Sequence, residues 1–386
     1  MTLLLKPAAA IIFLSSLLSA PPVKTATIST SPTPYKKSSQ KIQAAILLDV
    51  SNSMDGLIEQ AKAQLWNMVN VMGKAKCTDG DPQIEIALYE YGSPRNNVKQ
   101  GYVKQISGFT TDLDMLSKNL FSLTTNGGDE YCGHVIYSSI NELTWDSSPQ
   151  SYKVIFIAGN EDFLQGDITY TKACGEASKK GIIVNTIYCG DRQQGIKEHW
   201  YLAGECGNGS FTNIDQDAKI EEIPTPYDSS LMVLNNKLNG TYMAYGASGT
   251  QYLMQQVEVD QLNSTANKSA ALKRTKAKAN PKLYRNSTWD LVDASKDDSS
   301  FIAKVDMRTL PDSLQKMSRA DLSKIVNAKK QERSAIQIEI ENLNLKREKF
   351  LAEERKKQAT TNTATLETET EKMIRQQAKR FNMKIE

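Results

Sequence analysis

Histidine is scarce: His134 and His199 are the two in 386 residues. That is too few for a histidine-built metal centre or an imidazole-driven acid–base site. No C-x-x-C pair occurs, which excludes the usual zinc ribbon and dithiol redox motifs. Cys189, His199 and Cys206 offer at most three zinc ligands on an irregular spacing. Neither G-x-x-x-x-G-K-[ST] nor G-x-S-x-G is present, so the chain has no P-loop and no nucleophile elbow. No period of roughly 20–50 residues repeats, which excludes solenoids and propellers. Proline (12) and glycine (21) sit at ordinary levels, which removes collagen-like and Pro-rich classes. Nor does either sign of charge dominate. With 47 Lys+Arg against 44 Asp+Glu the net charge is +3, too balanced for an electrostatic binder of nucleic acid or anionic membrane.

What the chain has is enough apolar residue (40%) for a core and enough charge (24%) for a solvated part, over a length between one and three domains. Residues 1–20 read MTLLLKPAAAIIFLSSLLSA, with one cation at Lys6 and an apolar stretch from Pro7 to Ala20. This run is short for a hydrocarbon core of ~30 Å. It predicts an export signal over residues 1–26, ending at Ala20 or Ala26, and a periplasmic or secreted mature chain; an uncleaved membrane anchor is the alternative. Loss of 1–26 removes Lys6 and Lys24 and leaves the mature chain near +1. Residues 27–40 are Ser/Thr/Pro-rich and read as a linker. The five cysteines, Cys77, Cys132, Cys174, Cys189 and Cys206, all fall in one zone, and their odd number leaves at least one thiol free or paired between chains.

Residues 41–218 alternate strand-like and helix-like segments. Gln43–Val50 (QAAILLDV) is a continuous apolar run ending at an acid, as in a parallel strand buried on both faces. Leu57, Ala61, Leu65, Met68, Val69 and Met72 follow at helical spacing. Further strands are expected at 84–88, 101–108, 154–158, 182–187 and 210–214, and helices over 113–123, 135–143 and, as one possibility, 195–205. The alternation implies an α/β, doubly wound, mainly parallel sheet of Rossmann-like type, with ligand sites at the C-terminal strand ends. In that arrangement Cys77 lies at the opposite end from Cys132 and Cys189 and pairs with neither. A helix over 195–205 holds Cys189 and Cys206 ~15 Å apart, too far to bridge.

Residues 219–310 read as a partly helical connector with a basic stretch at 268–282. Residues 311–386 read as a charged amphipathic helix. Leu322, Val326, Ile336, Ile340, Leu343 and Phe350 follow 4-and-3 spacing, while Lys329, Arg333 and Arg347 interrupt the same seam. Two readings stand: the helix, or a helical hairpin, folds onto the rest of the chain, or it self-associates as a coiled coil.

The chemistry-bearing pattern ends the first strand. Asp49–Val–Ser51–Asn–Ser53 places one carboxylate and two hydroxyls within five residues at a strand-to-helix turn. Such a half-shell suits Mg²⁺ or Mn²⁺, hard cations that take oxygen ligands and keep waters. The same three side chains could instead cap the helix that begins near Asp55. DVSNSM after an apolar strand resembles the D-x-S-x-S signature of von Willebrand factor type A (vWA) domains, over residues 41–218. The later half is similar to the helical extension that exported bacterial vWA proteins carry. The resemblance implies a metal-ion-dependent adhesion site at the top of the sheet, with Asp49, Ser51 and Ser53 as first-loop ligands. Where such domains have a Gly-Gly-Thr second loop, this chain has Gly127–Gly128–Asp129–Glu130, so Asp129 or Glu130 would coordinate, or Thr125 would reach in. Where the third loop has an aspartate, this chain has Gly159, and Glu161 or Asp162 would substitute.

Three functions follow as expectations. The first is an exported, adhesion-type protein-interaction module, in which an acidic side chain of a protein partner completes the shell of a bound cation. The second is a structural scaffold whose degenerate site holds no metal, acting through its surfaces and C-terminal helix. The third, least favoured, is a phosphoryl-transfer enzyme using Asp49 as nucleophile. The usual aspartate-nucleophile motif carries a second Asp two residues on, where this chain has Ser51. The chain is therefore expected not to be an enzyme.

Overall fold

The computed structural model describes residues 40–55, 58–78, 80–214, 223–358 and 366–385. The expected signal at 1–26, and the 27–40 linker apart from Gln40, lie outside them. No described helix is long and apolar enough to cross a membrane.

The strands are β1 (Lys41–Asp49), β2 (Ala75–Lys76), β3 (Gln83–Tyr91), β4 (Lys104–Thr110), β5 (Tyr152–Gly159), β6 (Ile182–Cys189), β7 (Asn208–Ile214) and β8 (Lys384–Ile385). Between and after them run α1 (Ile58–Met72), α2 (Leu113–Ser122), α3 (Cys132–Glu142), α4 (Tyr170–Lys179), α5 (Arg192–Lys197) and α6 (Trp200–Cys206). The C-terminal half is helical: α7 (Asp228–Asn239), α8 (Gly249–Ala266), α9 (Lys268–Ala279), α10 (Leu291–Asp297), α11 (Phe301–Lys304), α12 (Asp312–Gln315), α13 (Arg319–Gln358) and α14 (Leu366–Lys379).

Six strands form one sheet in the order β4-β3-β1-β5-β6-β7, parallel throughout except at β4, while β2 and β8 pair separately. The order runs outward in both directions from β1, which is the doubly wound arrangement. β1 shows why its sequence is an unbroken apolar run. Ile42, Ala44, Ile46 and Leu48 enter one core cluster with α1 and α2, whereas Ala45 and Leu47 enter the other with α3, α4 and α6. A strand buried on both faces has no solvent side on which to place alternating polar residues.

Two local expectations are corrected. The strand expected over 101–108 starts later, at Lys104, and runs antiparallel. Gly101 (φ 67°) and Tyr102 (φ 57°) are left-handed and close a 3₁₀ turn over Val98–Gln100 instead. The helix expected across 195–205 is two helices, because His199 turns to φ 69° between α5 and α6.

The helical half covers one face of the sheet. Leu231, Leu234, Leu238, Ile336, Ile340, Ile374 and Ala378 belong to the same cluster as Ile42 and Leu48. The basic 268–282 stretch, read as connector, is largely α9, and two of its cations are buried. Arg274 pairs with Asp114 of α2 (2.6 Å) and Asp260 of α8 (2.7 Å), and Lys278 pairs with Asp260 (2.6 Å). Two of the three interruptions in the α13 stripe likewise pair with acids elsewhere in the chain, while Lys329 stays at the surface with Glu332 (2.8 Å). Arg333 is buried against Asp290 (2.7 Å) and Asp293 (2.9 Å), and Arg347 reaches Asp228 (2.9 Å). Leu322, Val326, Ile336 and Ile340 are all buried within this chain, so the described stripe is used for docking in cis. On α14, Gln377 exchanges two hydrogen bonds with Asn185 of β6 (3.1 and 2.7 Å) and accepts one from the Tyr152 hydroxyl (2.8 Å).

Candidate metal centre

With one face covered, the loops at the C-terminal strand ends carry the candidate site. Asp49 is the last residue of the central strand and is fully buried. The Ser51 backbone N–H donates to its Oδ1 (2.7 Å), while its Oδ2 has no hydrogen-bond partner. Burial, foremost, and the nearby Glu161 charge push the Asp49 carboxyl up to about 7. Ser51 is buried and its hydroxyl lies 2.8 Å from that of Ser53, which is exposed. No side-chain cap bond occurs at Ser51, and Ser53 lies in a separate 3₁₀ turn, Asn52–Met54.

Glu130, in the second loop, is buried against this group. Burial and the Asp49, Glu161 and Asp129 charges, in that order, push its carboxyl up to about 8. Two carboxyls raised into the neutral range in one pocket describe a site short of positive charge. Gly128 brings the loops together: a Cβ there would stand 2.2 Å from the Gly92 carbonyl oxygen, so only glycine permits this approach. Asp129 is exposed, and its charge, after desolvation, raises the Tyr102 phenol. Thr125 does not reach in, because its hydroxyl donates to the Asp55 carboxylate.

The third loop differs most from the expectation drawn from the resemblance. A side chain at Gly159 is excluded: its Cβ would lie 2.3 Å from the Tyr91 hydroxyl and 3.0 Å from Asp49 Oδ2. Tyr91, the residue of β3 in register with Asp49, occupies that space and donates to the Ala158 carbonyl (3.0 Å). Asn160 was overlooked and makes the closest third-loop contacts. Its Oδ1 accepts from the Ser53 hydroxyl (2.8 Å) and its Nδ2 donates to the Ser53 carbonyl (3.1 Å). Glu161 is half-buried; burial, followed by the Glu198 charge, raises its carboxyl. Asp162 turns away to His199 (3.1 Å). Among the described residues, no three His, Cys, Asp or Glu side chains converge as a metal-binding group. Cys189, His199 and Cys206 in particular face Ile187, Asp162 and Cys174.

The donors that do converge are one ionisable carboxylate oxygen without a partner, two hydroxyls and an amide oxygen, with Glu130 and Glu161 at the rim. This oxygen-only set fits a hard divalent cation that keeps several waters, and it fits neither zinc in a closed site nor a thiophilic metal.

No family model and no curated protein matches the chain. Among solved structures, similarity extends to proximal thread matrix protein 1 from the mussel byssus, with a zinc-occupied MIDAS motif. That match is at 12% identity over 47% of this chain and 43% of that one, with a TM-score of 0.35. It extends also to the SpRpn10 VWA domain, at 13% identity over 45% of this chain and 87% of that one, with a TM-score of 0.34. A third is BatB from Bacteroides thetaiotaomicron, at 18% identity over 46% and 94%, with a TM-score of 0.34. The chain spans less than half the length of the mussel protein. The sheet order, together with the loop that follows β1, makes the 41–214 part vWA-like in architecture, followed by a mostly α-helical region.

Proposed function

We propose that the chain is an exported protein-interaction module of adhesion type, in which Mg²⁺ or Mn²⁺ held by Asp49, Ser51 and Ser53 accepts an acidic side chain from a protein partner. The observation that carries this reading is the buried, unpartnered Oδ2 of Asp49 beside Glu130, with both carboxyls raised toward neutrality. A cation supplies the missing positive charge and joins two acidic surfaces that would otherwise repel. Ser51 and Ser53 contribute neutral oxygens, so the bound ion keeps net charge with which to attract the partner's carboxylate. Glu130 and Glu161 then act through water or directly, and Asn160 orients Ser53. No nucleic acid is expected as partner, given the balanced charge. The reading is of a binding module, not an enzyme.

The alternative, a metal-free scaffold, is favoured by one observation: Tyr91 fills the space that a third-loop aspartate would need. Calorimetric titration of Mg²⁺ and Mn²⁺ into the full chain and its Asp49→Ala variant separates the two. Heat of binding in the wild type that is absent in the variant supports the metal site. Absence of heat in both refutes it and leaves the scaffold.

A further inference from the structure

Cys174 and Cys206 are separated in sequence by a strand and two helices, yet their thiols meet. Cys174, on α4, is almost fully buried, and its Sγ lies 3.7 Å from the Ala203 carbonyl oxygen on α6. Cys206 is one turn further along α6, on the face that Ala203 shares, which sets it beside Cys174, whose thiol its neighbour helps to raise. The other buried thiols point elsewhere. Cys132 donates to the Tyr91 hydroxyl (3.8 Å), and Cys189 lies against the Ile187 carbonyl within its own strand.

We propose that Cys174 and Cys206 form an intrachain disulfide that staples α4 to α6. The two partners divide the chemistry. Cys206 is exposed and meets the oxidant, a disulfide of the glutathione class or a disulfide-donating protein. Its thiolate attacks one oxidant sulfur, forming a mixed disulfide and releasing one thiol. The Cys174 thiol then loses its proton and attacks the Cys206 sulfur, closing the internal bond and releasing the second thiol. Two protons and two electrons leave the protein, and one oxidant disulfide becomes two thiols. Burial pushes the Cys174 thiol up, so it is a poor first nucleophile and depends on its neighbour being activated. The bond also accounts for one pair of an odd set and leaves Cys77, Cys132 and Cys189 as thiols.

The staple bears on the site region through α6. Trp200, at the start of that helix, donates its indole N–H to the Glu161 carbonyl (2.8 Å), and the preceding His199 contacts Asp162. Tying α6 to α4 therefore fixes the helix that supports the third loop. The pairing itself rests on α4–α6 packing alone and is independent of whether the centre binds a metal.

The five cysteines fall on five different tryptic peptides, with Cys174 on residues 173–179 and Cys206 on 198–219. The full chain, reduced and then incubated with glutathione disulfide under native conditions, should lose two of its five thiols. Non-reducing peptide mapping should show 173–179 linked to 198–219. The Cys206→Ser variant replaces an exposed side chain, so it should fold and should keep every remaining thiol. Five thiols surviving in the wild type would overturn the proposal. So would Cys206 recovered only as a glutathione adduct or joined to a second chain, or Cys174 linked to any other cysteine.

Discussion

Asp49→Asn should make the metal-free protein more stable at neutral pH, the reverse of what removal of a buried hydrogen-bonded residue usually does. The Asp49 carboxyl titrates at 3.8 when exposed in the unfolded chain and at about 7 when folded, chiefly because burial disfavours its charge. Between those values the folded state holds a proton that the unfolded state has released. Stability therefore falls as pH rises through the window and levels off above pH 7. A difference near three pKa units, at 1.36 kcal/mol each, amounts to about 4 kcal/mol lost by pH 7.5. Asparagine does not titrate, and its Oδ1 can still accept from the Ser51 N–H. Other groups titrate alike in both proteins. Glu130 departs from that rule in the same direction, since without the Asp49 charge its own ionisation costs less. Urea unfolding midpoints in chelator at pH 4.5, 5.5, 6.5 and 7.5 should show the variant gaining on wild type by about 1.4 kcal/mol per pH unit. Saturating Mg²⁺ at pH 7.5 should then recover wild type alone, by about 2.7 kcal/mol at a hundredfold excess over Kd. Parallel pH curves in chelator would refute the reasoning, because they would mean that Asp49 is already ionised and satisfied without a cation.

Gly159→Ala should cost about 1–3 kcal/mol from the contact its Cβ makes with the Tyr91 hydroxyl, and Tyr91→Phe in the same chain should recover part of that cost in a double-mutant cycle of denaturation midpoints. Arg274→Met should destabilise by about 3–5 kcal/mol in urea unfolding, since it leaves Asp114 without its buried cation and Asp260 with Lys278 alone in the joint between α2, α8 and α9; a loss below ~1 kcal/mol would mean that the joint admits water.

How much of this was legible in the sequence depends on the range of each interaction. β1 was readable because burial on both faces leaves an unbroken apolar run, and the loop after it was readable because Asp49, Ser51 and Ser53 lie within five residues. The breaks at Gly101–Tyr102 and His199 were not, because left-handed φ at Tyr102 and His199 is imposed by tertiary packing and neither residue type announces it. The cations in the α13 stripe looked like defects in a heptad. Arg333 and Arg347 became intelligible only once Asp290, Asp293 and Asp228 were placed opposite them. The 268–282 stretch was misjudged for the same reason: a Lys/Arg-rich run implies solvent until its carboxylate partners, here Asp114 and Asp260, are located elsewhere in the chain.

Tyr91 marks the same limit at the site itself. Its role requires knowing that β3 pairs with β1 in parallel with Asp49 opposite Tyr91, a register that periodicity does not supply. Once that register is known, three departures in the loops become one. A phenol at position 91 fills the space beside the strand end, position 159 must then lack a side chain, and the third loop reaches Ser53 from the next residue, Asn160, through a neutral amide. The substitution replaces a possible negative ligand with a neutral one while Glu130 adds a carboxylate from the second loop. Negative charge thus stands in both loops, as Glu130 in the second and Glu161 in the third. A site that had only decayed would have no reason to retain a buried Asp49 with a free oxygen facing a second raised carboxyl, because that pair destabilises the folded chain unless protons or a cation neutralise it.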